Sequence, residues 1–329
     1  VTDARQLSLQ HWLASELGHQ DARISIASAD ASFRRYLRVD DNGRSLIVMD
    51  APPEHEDCGP FIDIAHRLRQ AGVNAPEVLA TDLRHGFLLL TDLGDQLYSH
   101  ALNVKSADAL YEKALSTLHD IQKIDPSSLP AYDQQLLNAE MALFKDWLLG
   151  KHLELELSSD EQTTLHHAFA LLCDQALKQR QVFVHRDYHC RNLMVTENNN
   201  PGVLDFQDAV RGPITYDLVS LLRDCYVRWP NAWVERWSEG YRSLFAPDVD
   251  SQTWRLWFDW MGVQRHLKAA GIFARLNYRD GKSGYLADVP RTVQYILEVC
   301  SRYQALEGLA ELVRSRVMPA LETQTRKAS

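Results

Sequence analysis

Asp187, Asn192 and Asp205 are the residues whose types and spacing could do chemistry. They lie in Val-Phe-Val-His-Arg-Asp-Tyr-His-Cys-Arg-Asn-Leu-Met-Val (182–195), followed by a polar turn and Gly-Val-Leu-Asp-Phe-Gln-Asp (202–208). A loop carboxylate can orient a hydroxyl and take its proton. A second carboxylate and an amide oxygen can hold a hard divalent cation such as Mg²⁺, which prefers oxygen ligands. These parts suit transfer of a phosphoryl group to a hydroxyl, with Asp187 on the acceptor proton and Asn192 and Asp205 on the ion.

Those groups need elements to position them. Apolar Val182, Phe183 and Val184 predict a short strand that delivers His185 and Asp187 into a loop. Leu193–Val195 and Val203–Leu204 predict a hairpin, because the Asn-rich stretch 197–202, with its Pro and Gly, is a turn signal. Asp205 then sits at the end of the return strand.

His185-Arg186-Asp187, four intervening residues and Asn192 match the catalytic-loop pattern of protein kinases. Protein kinases continue the metal Asp with Phe-Gly and a long activation segment. Here Asp205-Phe206-Gln207-Asp208-Ala209 runs almost directly into Gly212-Pro-Ile-Thr-Tyr-Asp217, which leaves no room for one. The chain resembles the aminoglycoside-phosphotransferase family of small-molecule kinases. Within it, the stretch 185–217 is similar to the anomeric N-acetylmuramate/N-acetylglucosamine kinases of bacterial cell-wall recycling.

The resemblance implies an α+β, bilobal, protein-kinase-like fold. A small β-rich, nucleotide-binding lobe would span residues 1–92, and a larger, mostly helical lobe with the catalytic loop and substrate site would span 93–329. ATP and Mg²⁺ are the implied cofactors, and the C1 hydroxyl of an N-acetylated amino sugar the implied acceptor. The run Ser32-Phe33-Arg34-Arg35-Tyr36 stands where a nucleotide-phosphate loop lies in these kinases, without a Gly-x-Gly-x-x-Gly pattern. Thr91, Asp92 and Leu93, before Gly94, stand at the hinge that would meet an adenine edge. Asp217 is expected to prop the catalytic loop or to cap a helix. Arg191, Asp208 and Arg211, close in sequence to the catalytic groups, are candidate sugar contacts, an arginine serving the lactyl carboxylate of N-acetylmuramate.

One departure concerns the phosphates. The third strand, Leu46-Ile-Val-Met-Asp50, should carry a phosphate-binding Lys, yet the first Lys in the chain is Lys105. Either Arg34 or Arg35 substitutes, or metal and backbone hold the phosphates. Glu54, Glu56 and Asp57 precede the next helix, so the usual ion-pairing helix Glu is not identifiable. Two rivals follow: another small-molecule kinase acting on an aminoglycoside, choline or related alcohol, and a nucleotide-binding pseudokinase. An intact Asp187, Asn192 and Asp205 opposes the second.

Composition bounds the partners. The 329 residues, 45% hydrophobic and 24% charged, fit a globular chain large enough for two lobes. A net charge of -9 argues against a nucleic-acid partner, since that binding rests on basic patches. Five scattered cysteines lack metal-ligand spacing and read as reduced thiols. There is no basic-then-apolar leader and no run of about 20 apolar residues. A cytoplasmic enzyme with no membrane contact and no obligate protein partner is therefore expected. Aromatic crowding at Trp229, Trp233, Trp237, Trp254, Trp257 and Trp260 reads mainly as core.

Elsewhere, strands are expected at 24–27, 33–39, 45–49, 78–80 and 87–90. Asp41-Asn42-Gly43 should form a hairpin turn. Helices are expected at 3–18, 61–70, 109–124, 136–149, 163–177 and 216–227. Gln264-Arg265-His266-Leu267-Lys268 would lie in a long amphipathic helix ending near Leu276. A last helix is expected at 291–312, before a frayed tail at 323–329.

Overall fold

The computed structural model describes residues 4–20, 22–29 and 33–328. The chain divides into two compact units. One comprises the residues up to Asp120 together with Asn192–Asp208; the other comprises Ile121–Arg191 and the residues from Ala209 on.

The first unit holds a five-stranded antiparallel sheet in the order β1-β2-β3-β5-β4. Its strands are β1 (Arg23–Ala29), β2 (Arg35–Asp41), β3 (Arg44–Asp50), β4 (Val78–Asp82) and β5 (Phe87–Thr91). β2 and β3 pair from Arg35↔Asp50 to Asp41↔Arg44, which leaves Asn42 and Gly43 as a two-residue loop. Both have positive φ, 54° and 81°, the geometry a tight hairpin needs and Asn-Gly supplies cheaply. Leu46 and Val48 alternate onto one face and meet Val39, Phe87 and Leu89. Leu9, Trp12 and Leu13 of the N-terminal helical segment close that core. Gly86 is fixed by crowding: at φ 73° a Cβ there would lie 1.8 Å from the Ala51 carbonyl oxygen.

The helix Gly59–Gln70 buries Phe61, Ile64, Ala65 and Leu68, the i, i+3, i+4, i+7 stripe of an amphipathic helix. The short pair β7 (Leu193–Met194) and β8 (Gly202–Val203) belongs to this unit. Phe61 meets Phe206 at 4.8 Å between ring centroids, so the helix packs on the segment just after β8.

In the second unit, β6 (Gln181–Val184) pairs antiparallel with β9 (Val210–Pro213), with Phe183 opposite Arg211. The helix Ser251–Asp280 is its spine, capped by the Asp250 carboxylate on the N–H groups of Gln252 and Thr253 and ended by Gly281 in the left-handed region. At Gly271 a Cβ would lie 2.3 Å from the Leu143 carbonyl carbon, so this helix and Gln134–Leu143 approach at backbone distance. Ser158 and Glu161 form a reciprocal capping box for the helix Ser159–Leu177.

Several boundaries differ from the sequence reading. The strand expected at 33–39 starts at Arg35, leaving Phe33 exposed. The helix expected at 216–227 ends at Leu222, because the Asp224 carboxylate turns back onto the N–H groups of Cys190 and Tyr226. The span 291–312 is broken after Cys300 and resumes as helix at Glu307. The tail expected to fray is helical over Met318–Ala328. Trp229, Trp237, Trp254 and Trp260 are buried, as core packing requires. Among the described residues no helix is long and apolar enough to cross a membrane.

Candidate active site

Asp187 lies in the second unit, two residues beyond the buried His185 that follows β6. The loop is held by its backbone. Both oxygens of the fully buried Asp217 accept N–H groups, from His185 at 2.6 Å and from Arg186 at 3.0 Å. Asp217 stands in the first turn of its helix, yet these bonds run to the loop. Arg186 has φ 77°, a conformation costly for a residue with a Cβ, and Asp217 secures the N–H on its near side. Asp224 adds a second tether through the Cys190 N–H at 2.9 Å. The Asp187 N–H donates to Nδ1 of His185 at 3.3 Å.

A buried ionic network surrounds this loop. The Arg186 guanidinium pairs with Glu140 at 2.5 Å, and Lys268 reaches the same carboxylate at 3.1 Å. The Tyr132 hydroxyl donates to Glu140, and Lys268 donates to the Tyr216 hydroxyl at 3.0 Å. Burial works to raise the Glu140 carboxyl, but Lys268 and Arg186 outweigh it and hold it below its ordinary value. Asp187 behaves alike. Burial alone would push it up, and the charges of Lys268, His189, Arg265 and Arg186 bring it down to about 2. It is therefore ionised across the physiological range. Burial pushes Asp217 the other way, up to about 6. Burial also raises the Cys190 thiol, so this loop cysteine is an inert packing residue.

Sequence reading missed Glu140, Lys268, Arg265 and Asp224. Arg265 and Lys268 were expected in a long amphipathic helix that ends near Leu276. The helix runs on to Asp280, and Asp259, Gln264, Arg265, His266 and Lys268 are all buried. Beside the apolar stripe Trp260, Val263, Leu267, Ala270 and Ala274, the five polar residues are spread around the helix, so it is covered on more than its apolar face.

Asn192 and Asp205 come together in the first unit. The β7–β8 ladder and a bond from the Leu204 N–H to the Asn192 carbonyl at 2.9 Å bring their chain positions side by side. The Asn192 amide donates to one Asp205 oxygen at 3.1 Å, and the Gln207 amide donates to the other at 2.9 Å. Asp205 has φ 62°, a left-handed turn at the strand end. One carboxylate and one amide oxygen suit a Mg²⁺ ion that takes its remaining ligands from phosphate and water. Among the described residues no group of three or more His, Cys, Asp and Glu could hold a metal.

The remaining expected residues separate. Ser32 lies outside the described residues. Phe33 is exposed and stacks on His55 at 4.4 Å. Arg34 pairs with Glu56 at 2.8 Å, both side chains nearly covered, and Asp208 lies within its electrostatic reach. Arg35 pairs instead with the buried Asp50 at 2.5 Å, which Arg5 also engages. Thr91 accepts the Glu77 N–H at 2.9 Å. Asp92 binds Arg38 at 2.8 Å and the Gly94 N–H at 2.9 Å, so both residues brace the turn. Leu93 packs where a Cβ on Gly202 would be, 2.9 Å away. In the second unit, Arg211 is exposed on β9, while Arg191 lies over the Tyr226 ring.

A family model described as "Phosphotransferase enzyme family" matches residues 23–255, most of the chain. The chain belongs to the phosphotransferase enzyme family. Relatives in it include the N-acetylmuramate/N-acetylglucosamine kinase of Pseudomonas aeruginosa, 46% identical over 95% of this chain and 97% of the relative. The protein of the same name from Neisseria meningitidis is 40% identical over 94% of this chain and 95% of the relative. Among solved structures, the GDP complex of aminoglycoside 2'-phosphotransferase-IIIa superposes with a TM-score of 0.63 at 14% identity, covering 90% of this chain and 99% of that one. An ethanolamine kinase of Plasmodium vivax gives 0.65 at 9% identity, over 94% and 90% of the two chains. These likenesses show the fold: this member of the family is protein-kinase-like, with an antiparallel sheet and a helical C-terminal part.

Proposed function

We propose that the chain is an ATP- and Mg²⁺-dependent kinase that phosphorylates the anomeric C1 hydroxyl of N-acetylmuramate, N-acetylglucosamine or both. The observation that carries this reading is the ionised Asp187 on a loop clamped by Asp217 and Asp224, in a chain 46% identical nearly end to end to a kinase named for those sugars. The cytoplasm is the natural compartment for such ATP-dependent chemistry.

Asp187 orients the acceptor hydroxyl and receives its proton. A carboxylate at about 2 is a weak base, which suffices where the transition state is loose and little proton transfer precedes phosphoryl transfer. The anomeric hydroxyl is the most acidic of the sugar, because the ring oxygen withdraws electrons from C1. Asp205 and Asn192 would hold the ion. When bound, Mg²⁺ would neutralise charge on the β- and γ-phosphates. Arg34 takes the part of the missing strand Lys, with Glu56 as its partner in place of a helix Glu. Arg35 is committed to Asp50. Arg34→Ala should therefore raise the KM for ATP about tenfold, whereas Arg35→Ala should act mainly on stability. Phe33 and the turn Thr91–Leu93 would flank the nucleotide.

The test is ATP turnover with each free sugar and with the methyl glycoside of N-acetylglucosamine. The free sugars should give an acid-labile phosphate, and the blocked glycoside should give none. Equal turnover of the glycoside would move the acceptor to another hydroxyl.

A further inference from the structure

The unit that carries Asp187 also carries an aromatic shelf. Tyr226 packs against Phe273 at 6.0 Å between centroids, and Tyr285 stacks on Phe273 at 5.8 Å. His189 meets Tyr226 edge-on at 5.2 Å and lies within the electrostatic field of Asp187. The His189 N–H also donates to the Asp187 carbonyl at 3.0 Å, so the shelf meets the loop that carries the acceptor base. The Arg191 guanidinium carbon lies over it, 3.5 Å from the Tyr226 centroid and 6.0 Å from that of Tyr285.

Arg191 keeps 44% of its side chain exposed although Asp288 stands beside it. The two charges are 3.8 Å apart, longer than an N–H···O hydrogen bond. Arg291 approaches the other Asp288 oxygen at 3.5 Å but spends a donor on the Cys225 carbonyl at 2.9 Å. Burial accordingly pushes the Asp288 carboxyl up, with Arg191 and Arg291 only partly offsetting it. The shelf therefore presents a half-exposed guanidinium whose internal counter-ion is held loosely.

We propose that Arg191 reads an acidic substituent on the acceptor sugar, and that Asp288 is the internal stand-in for that acid when the acceptor is neutral. This rests on the amino-sugar kinase reading above. A guanidinium fork can take a carboxylate through two parallel hydrogen bonds, and the close contact with the Tyr226 ring places it beforehand. The lactyl group of N-acetylmuramate supplies such a carboxylate; N-acetylglucosamine has a hydroxyl there. A neutral sugar leaves the Arg191–Asp288 pair in place. An acidic one competes with Asp288 for Arg191 and feels its repulsion. One site then serves both sugars, with Asp288 setting the balance.

The two residues predict shifts of opposite sign in the ratio of kcat/KM for N-acetylmuramate to that for N-acetylglucosamine. Arg191→Met should lower the ratio about tenfold or more, the loss of a charged hydrogen-bond pair. Asp288→Asn should raise it severalfold, by removing the competing charge. Arg191→Lys should fall between wild type and Arg191→Met, since it keeps the charge without the fork. Each ratio is taken within one preparation, so any loss of folded protein cancels. A ratio within twofold of wild type in Arg191→Met, or a lowered ratio in Asp288→Asn, overturns the inference while the kinase reading stands. A wild-type enzyme inactive on both sugars overturns that reading, and the inference with it.

Discussion

The loop bearing Asp187 and the hairpin bearing Asn192 and Asp205 are consecutive in sequence but built on different physics. The loop is fixed by buried charge: Asp217 and Asp224 on backbone N–H groups, and Glu140 between Arg186 and Lys268. The hairpin is fixed by a two-residue ladder and by neutral amide donors on Asp205. A base must be aimed before the acceptor arrives, so ion pairs that cannot relax without large cost suit it. Metal ligands must exchange an amide donor for a cation, so contacts worth about 1 kcal/mol each suit them better.

The largest effect should come from the aimed group itself. Asp187→Asn keeps the size and removes the acceptor for the proton. It should lower kcat by on the order of 10²–10⁴ and leave ATP affinity nearly unchanged. Near-normal single-turnover rates would remove Asp187 from the chemistry.

Glu140→Gln tests whether buried charge does the aiming. It strands Lys268 and Arg186, both largely buried, without their shared counter-ion. Breaking a buried pair in this way costs about 3–5 kcal/mol. Thermal melting should show that loss, with kcat falling as well. A melting temperature within a degree or two of wild type would mean that the loop holds without the network.

On the hairpin side the effect should be smaller and confined to the ion. Asp205→Ala should weaken nucleotide binding in the presence of Mg²⁺ and leave binding without Mg²⁺ as it was. Titration calorimetry with and without the ion measures both. Equal losses in the two conditions would place Asp205 in the structure of the hairpin rather than on a metal.

The contrast also explains what could be read from the sequence. The hairpin was legible because its determinants are local: two short apolar runs, an Asn-Gly-Pro-rich turn, and Asp205 just beyond the return strand. The N-terminal sheet was legible for the same reason, down to the Asn42-Gly43 turn. The charged frame of the loop was not. Glu140 and Lys268 are 128 positions apart, and each alone resembles an ordinary surface residue of a helix. Glu56 was passed over because it precedes the helix Gly59–Gln70 instead of lying in it, and only the 2.8 Å pair with Arg34 singles it out. The break after Cys300 likewise depends on tertiary packing that periodicity does not encode.

The smallest expected effect is also the one that best separates the two supports. Asp217 is the clamp whose charge can change within the working pH range, because burial raises it to about 6. Above that pH it is a carboxylate, and both oxygens accept the N–H groups of His185 and Arg186. Below it one oxygen carries a proton, one of the two bonds weakens, and the loop loosens. The sign is therefore a fall in kcat as pH drops through about 6, by a few-fold, with little change in Mg²⁺-nucleotide affinity. Asp187, at about 2, stays ionised over that interval and cannot be the source. Asp217→Asn has one acceptor at every pH, so it should show a lower plateau without this acidic limb. The substrate phosphate titrates identically in both proteins, and the difference between the two profiles isolates the clamp. If wild type and Asp217→Asn lose activity in parallel as the pH falls, the loop does not depend on the charge of Asp217.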